Sequence, residues 1–208
     1  MPVDLKNLLD PAHAALLLME CQHGVIGPSA AGFNALAEAV ERHGVVATIA
    51  RLSKAARASS VSVFYLNASR RPDSAGSTAN CLLLALGRKG EPLVPGSPRH
   101  AVVAALQPQE SDFIINRFHG VTPFHGTELD SLLRNLGVKT VVVAGVSVNV
   151  GITGLTMDAV NCGYQVVLPR DAVAGTPDDY VEAVFQNTLR LLATVTRTDE
   201  IIHHWANP

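Results

Sequence analysis

The chain has 208 residues, 48% hydrophobic and 16% charged, with a net charge of −2, which suits one globular domain over 1–208 with apolar surface left for self-association. Its Lys and Arg residues are scattered and form no basic stripe, which excludes nucleic acid and an anionic membrane as partners and leaves a small molecule. The longest apolar runs, "AALLLM" and "TVVVAGV", are too short to cross a bilayer, and no basic-then-apolar leader pattern opens the chain, so a soluble, cytoplasmic protein is expected.

In chain order, "HAALLLME" (13–20) is a continuous apolar run of the kind found in a strand covered on both faces. A helical pattern interrupted at Gly44 follows, from "FNALAEAV" through "VVATIARLSKAARAS". "VSVFYL" (61–66) is rich in β-branched and aromatic residues and reads as the second strand. From Asn67 to Arg99 the composition shifts to Pro, Gly, Ser and Arg, which predicts a long functional or interface-forming loop. "DFIINR" (112–117) gives a third strand and "GTELDSLLRNLG" (126–137) a helix, with Gly137 suited to a left-handed C-terminal cap. "KTVVVAGV" (139–146) is the fourth strand, followed by a helix from about Asn149 to Asn161, and "YQVVLP" (164–169) is the fifth. "TPDDYVEAVFQNTLRLLA" predicts a helix with Thr176 as N-cap, Pro177 at its first position and Asp179 completing a capping box. A sixth strand is placed near "TVTR" (194–197). The alternation of strand and helix predicts an α/β fold, a three-layer α/β/α Rossmann-like sandwich around a mainly parallel six-stranded sheet.

In such a sheet, ligands bind beyond the carboxyl ends of the strands. That rule nominates Glu20, Cys21 and Gln22 after the first strand, Arg117 after the third, and Ser147 to Gly151 after the fourth. Strand alternation sends Glu20 and Cys21 to opposite sides. Glu20 is the stronger candidate, because a carboxylate at the end of an apolar strand needs a partner or a function. The three cysteines, Cys21, Cys81 and Cys162, show neither a disulfide framework nor zinc-ligand spacing.

The segments "LLLMECQHGVIG", "INRFHGVTPFHGTELDSLLRNLGVKTVVVAGVSVNVGITG" and "DAVNCGYQVVLPRDAVAGTP" together resemble the isochorismatase-like hydrolase superfamily, over nearly the whole chain. That superfamily includes isochorismatases, nicotinamidases and carbamoylsarcosine amidases. Its amidohydrolase members use an aspartate after the first strand, a lysine after the third and a cysteine nucleophile after the fourth. The resemblance puts Glu20, Arg117 and Gly151 at those three positions, so a thioester mechanism lacks its nucleophile. Glycine at the cysteine position also occurs in isochorismatases, which protonate a vinyl ether and add water without a covalent intermediate. The resemblance then implies a hydrolase of a small, carboxylated metabolite, with Glu20 as the acid and Arg117 orienting it or binding substrate. Gln22, His119, Phe124, Val146, Ser147, Asn149 and Gly151 would bind substrate. It also implies a cis peptide at Val146–Ser147 and a homodimer or homotetramer. "NASRRPDSAG" lacks the histidines with which some nicotinamidases hold a metal, so no metal and no cofactor are expected.

The same residues allow a second outcome, a catalytically inactive member that binds a small molecule or acts as an assembly partner. Glu20 and Arg117 would then close the rim as a buried ion pair, and Ser147 and Asn149 would serve as turn and cap residues.

Overall fold

The computed structural model describes residues 4–28, 30, 32 and 34–207. The strands are β1 (Ala14–Met19), β2 (Ser62–Ala68), β3 (Phe113–Arg117), β4 (Thr140–Val146), β5 (Gln165–Pro169), β6 (Val173–Ala174) and β7 (Thr194–Thr196). The helices are α1 (Leu5–Leu8), α2 (His23–Ile26), α3 (Asn34–Arg42), α4 (Val45–Ala58), α5 (Leu82–Lys89), α6 (Leu129–Asn135), α7 (Thr153–Asn161), α8 (Asp178–Val184), α9 (Arg190–Leu192) and α10 (Thr198–Ala206).

All strand pairs are parallel, in the order β3-β2-β1-β4-β5-β7, with β6 beside the end of β4. The sheet therefore has seven strands where the sequence predicts six. The extra one, β6, has only two residues, too few to show a strand period.

Two apolar layers sandwich the sheet. On one side Leu16, Leu18, Val63, Tyr65, Val142 and Ala144 meet Val45, Ile49, Leu52 and Ala56 of α4, with Ile201 and Trp205 of α10. The α4 residues recur at three- and four-residue steps, the stripe of a helix that buries one face. On the other side Leu17, Met19, Phe64, Leu66, Ile115 and Val143 meet Leu129 and Leu133 of α6 and Leu155 and Ala159 of α7. Every residue of β1 and β4 is buried, which explains why their sequences are unbroken apolar runs rather than alternating ones.

The breaks fall where the sequence places them at Gly44 and Gly137, left-handed at φ +62° and +70°. The start of α8 differs from the capping-box expectation. Pro177 holds extended backbone (φ −74°, ψ 163°) and stands before the helix as its cap residue, the first helical residue is Asp178, and Asp179 Oδ1 accepts from Tyr180 N at 2.9 Å instead of completing a box with Thr176. The predicted 67–99 loop contains α5, and α10 closes the chain although its short "TDEIIHHWA" carries no turn signals to mark it off.

One buried polar network ties α4 to the head of β3. Arg57 donates through Nε and Nη2 to Asp112 at 3.1 and 2.6 Å and through Nη2 to the Tyr65 hydroxyl at 3.0 Å, while Tyr65 donates to the Leu106 carbonyl at 2.6 Å. The Asp112 side chain is 1% exposed, so removing it strands a guanidinium largely out of water. Asp112→Ala is expected to lower the unfolding free energy by about 3 kcal/mol, and Tyr65→Phe by about 1 kcal/mol, in urea denaturation followed by circular dichroism.

Candidate active site

Because the sheet is parallel, β1, β2, β3 and β4 deliver their carboxyl ends to one rim. Glu20 is the first residue past β1. Its N–H still donates to Leu66 O at 3.0 Å, and its backbone is left-handed at φ +53°, a conformation uncommon outside glycine. Arg117, the last residue of β3, shares the face of Ile115 by alternation. The two meet across the end of β2: Arg117 Nη2 donates to Glu20 Oε1 at 2.5 Å, with side chains 7% and 20% exposed. The other terminal nitrogen, Arg117 Nη1, is buried and has no hydrogen-bond partner.

Cys21 and Gln22 turn the other way. Cys21 packs in the opposite apolar layer and its thiol donates to Met19 O at 3.7 Å. Burial, and then the negative charge of Glu20, push the thiol up to about 12, so it holds no thiolate near neutral pH. Gln22 is fully buried, and its amide is committed: Nε2 donates to Ala68 O at 3.0 Å and His100 O at 2.9 Å, and Oε1 accepts from Ala68 N at 2.8 Å. This side chain locks the end of β2 to the segment around His100.

The corner after β4 begins with a cis peptide at Val146–Ser147. The chain then makes one wide, π-type turn over Val148–Ile152 before α7 starts at Thr153, four residues later than the sequence suggests. Ser147 O accepts from the N–H groups of Val150 and Ile152 at 3.2 and 2.9 Å, and the Ser147 side chain caps nothing. Val146 is buried in the core layer. Asn149 is half-buried and its Oδ1 lacks a partner. At Gly151 a Cβ would lie 2.8 Å from Val146 O and 3.3 Å from Met19 Cε, so the corner is packed directly against β1.

The loop between β3 and α6 carries the remaining candidates. Phe124 packs against Tyr164 at 5.8 Å between ring centroids. His119 is exposed, lies edge-on to His125 at 6.0 Å and covers Gly126, where a Cβ would sit 2.5 Å from His119 Nε2. The structure thus joins Glu20 to Arg117 and Gly151 to Met19, while Phe124 and His119 have contacts of their own in this loop. Cavities of about 430 and 310 Å³ lie against α1 and α10, lined by Asp4, Lys6, His203 and His204 among others, and include no rim residue. Among the described residues, no three His, Cys, Asp or Glu side chains form a group able to hold a metal ion.

Sequence reasoning passes over one rim cluster. Ser69 Oγ lies 2.9 Å from His100 Nε2 and donates to Asn116 Oδ1 at 3.2 Å, and Ser69 N donates to Arg117 O at 2.8 Å. Ser69 follows β2 and so satisfies the same strand-end rule as Glu20. His100, deep in the Pro- and Gly-rich stretch, gives no signal.

A family model for the isochorismatase domain matches residues 14–200. The chain belongs to the isochorismatase family. A ureidoacrylate amidohydrolase of Rhizobium rhizogenes is 28% identical over 197 residues, 87% of this chain and 76% of that protein. An uncharacterised isochorismatase family protein of Escherichia coli O157:H7 is 27% identical over 203 residues, 94% of this chain and 97% of that one. The crystal structure of a cysteine hydrolase from Pseudomonas syringae pv. phaseolicola superposes with a TM-score of 0.83 at 26% identity, covering 99% of this chain and 95% of the other. No helix among the described residues is long and apolar enough to cross a membrane.

In this isochorismatase-family chain, burial lowers the proton affinity of His100 below its ordinary value near 6.5, with a hydrogen bond to Asn116 acting in the opposite sense. The unfolded chain therefore binds a proton at His100 before the folded one does, and stability falls as the pH drops below about 6.5. His100→Gln is expected to flatten that part of the stability profile, read from urea midpoints between pH 7.5 and 5.

Proposed function

We propose that this chain is a hydrolase of a small carboxylated metabolite that works without a cysteine nucleophile. On this reading Gly151 stands where amidase relatives keep the cysteine, Arg117 holds the substrate carboxylate, and Glu20 moves the proton. The observation that carries it is the unpartnered, buried Arg117 Nη1 beside the Glu20 contact. A buried guanidinium N–H without an acceptor is costly, and a planar carboxylate matches its fork.

The chemistry follows from that geometry. An incoming carboxylate takes Nη1 and competes with Glu20 for Nη2, which frees the Glu20 carboxyl to hold and deliver a proton. For a vinyl ether, Glu20 protonates the alkene carbon, and water adds to the oxocarbenium carbon and returns a proton to the Glu20 carboxylate. The carbon–oxygen bond to the leaving group then breaks as that proton passes to the leaving oxygen, the hemiketal hydroxyl becoming the carbonyl with loss of its proton to solvent. No step needs a thiolate, consistent with the inert Cys21. The Rhizobium rhizogenes relative is named for ureidoacrylate, itself a carboxylate, and that compound is the second substrate to try. A cytoplasmic homodimer or homotetramer completes the reading, as does Gln22 acting through the architecture of the rim rather than on the substrate.

A second reading, an inactive member that binds a small molecule, is favoured by the closed Glu20–Arg117 bridge and by the packing of Gly151 against Val146 O. Hydrolysis of isochorismate and of ureidoacrylate by wild type and Glu20→Ala separates the two, run beside a thermal-shift screen of small carboxylates. The expected result is a wild-type rate that falls about 10²- to 10⁴-fold in Glu20→Ala with the fold intact. No rate above background, with a saturable thermal shift that disappears in Arg117→Ala, would replace the hydrolase by the binding protein.

A further inference from the structure

Ser69, His100 and Asn116 form a cluster just inside the rim that the proposed reaction does not use. Ser69 follows β2, Asn116 belongs to β3, and alternation turns the Asn116 side chain to the sheet face opposite that of Arg117. Ser69 Oγ lies 2.9 Å from His100 Nε2 and 3.2 Å from Asn116 Oδ1. A serine has one hydroxyl proton, so with the ring proton of His100 on Nδ1 two acceptors compete for it. Asn67, two residues earlier on the same face of β2, adds a buried Oδ1 without a partner. A cluster this short of protons leaves acceptors unsatisfied, which is a poor way to hold strands together, and it draws on the Ser69 hydroxyl.

Both members of the close pair are fixed by their backbones. Ser69 N donates to Arg117 O at 2.8 Å, and His100 N donates to Ser97 O at 3.1 Å. His100 O accepts from Gln22 Nε2 at 2.9 Å, so the clamp at Gln22 also sets the imidazole opposite the hydroxyl. Burial lowers the proton affinity of His100, which keeps the ring neutral near pH 7, the state a general base needs. Ser69 and His100 are 8% and 7% exposed, and the chain reaches solvent just beyond them at Ala101 and Arg71.

We propose that Ser69 is a nucleophile and His100 its general base, a second reactive centre that hydrolyses small esters. Their separation is that of a hydroxyl and the base that activates it. Ser69 Oγ bonds to the ester carbonyl carbon while its proton passes to His100 Nε2. The tetrahedral intermediate expels the alcohol, which takes that proton from His100. Water then attacks the acyl-serine, giving a proton to His100, and the carbon–oxygen bond to Ser69 breaks as His100 returns that proton to Oγ and the acid leaves. A base of lowered proton affinity is a weak one, so the ester must bring a good leaving group. Neither Glu20 nor Arg117 supplies a step, and the centre does not rest on the function proposed above.

Diisopropyl fluorophosphate tests the pair without an ester substrate: Ser69 Oγ bonds to phosphorus, fluoride leaves, and the hydroxyl proton passes to His100. Intact mass and peptide mapping of the wild-type chain at pH 7.5 are expected to find one adduct, on Ser69. Labelling should vanish in Ser69→Ala and slow about 10²-fold or more in His100→Gln with circular dichroism unchanged. The urea-unfolded wild-type chain, in which Ser69 has lost His100, should show the same slowing without any substitution at a buried site. No adduct on Ser69, or labelling as fast in His100→Gln or in urea as in the folded wild type, overturns the proposal.

Discussion

The site depends on the dryness of β1. All six of its residues are buried and both faces are covered, so a charge can appear only where the strand leaves the core. Glu20 is that residue, and its ionised form is tolerable there because Arg117 reaches it across the end of β2. A partly buried carboxylate and guanidinium stand or fall together, since removing either leaves the other unpaired in a poor solvent for charge. The pair also bonds β3, an edge strand, to the central strand of the sheet, so the rim and the fold share one interaction.

The three residues "ECQ" (20–22) divide the rim between the two faces of the sheet. Glu20, in left-handed backbone, faces Arg117. Cys21 returns to the opposite apolar layer, where its thiol is both out of reach and held protonated. Gln22 holds Ala68 and His100 through one amide, and that hold places Ser69 beside Asn116 and the backbone of Arg117. A glutamine that donates twice and accepts once acts as a clamp on the end of β2, the strand across whose end Glu20 and Arg117 meet.

Much of this was legible in the sequence, for a physical reason. A strand covered on both faces must read as an unbroken apolar run, and in a parallel sheet the polar residue that ends such a run must stand on the common rim; Glu20 follows from those two statements, and Arg117 from the rim rule alone, since β3 is an edge strand whose run is already broken at Asn116. The roles of Gln22 and His100 did not, because they depend on a contact between residues 78 positions apart that no local pattern encodes. β6 and α1 are too short to carry a period, and α5 lies among glycines and prolines that read as loop. The start of α8 differs because Thr, Pro and Asp at capping spacing satisfy the rule locally, whereas Pro177 takes extended backbone and stands before the helix.

The corner after β4 has a packing reason for its glycines. Gly145 is left-handed at φ +109°, and a Cβ on it would lie 2.2 Å from Met19 O. A Cβ on Gly151 would press on Val146 O and approach the Met19 side chain. Two glycines therefore let the end of β4 and the wide turn after it close onto Met19, the residue before Glu20. A larger side chain at 151 would have to displace a backbone carbonyl, and any shift of Met19 would pass directly to Glu20. In this chain the small residue at the corner and the charged pair at the end of β1 are one mechanical unit, joined through Met19, so the turn sets the position of Glu20 and with it that of Arg117.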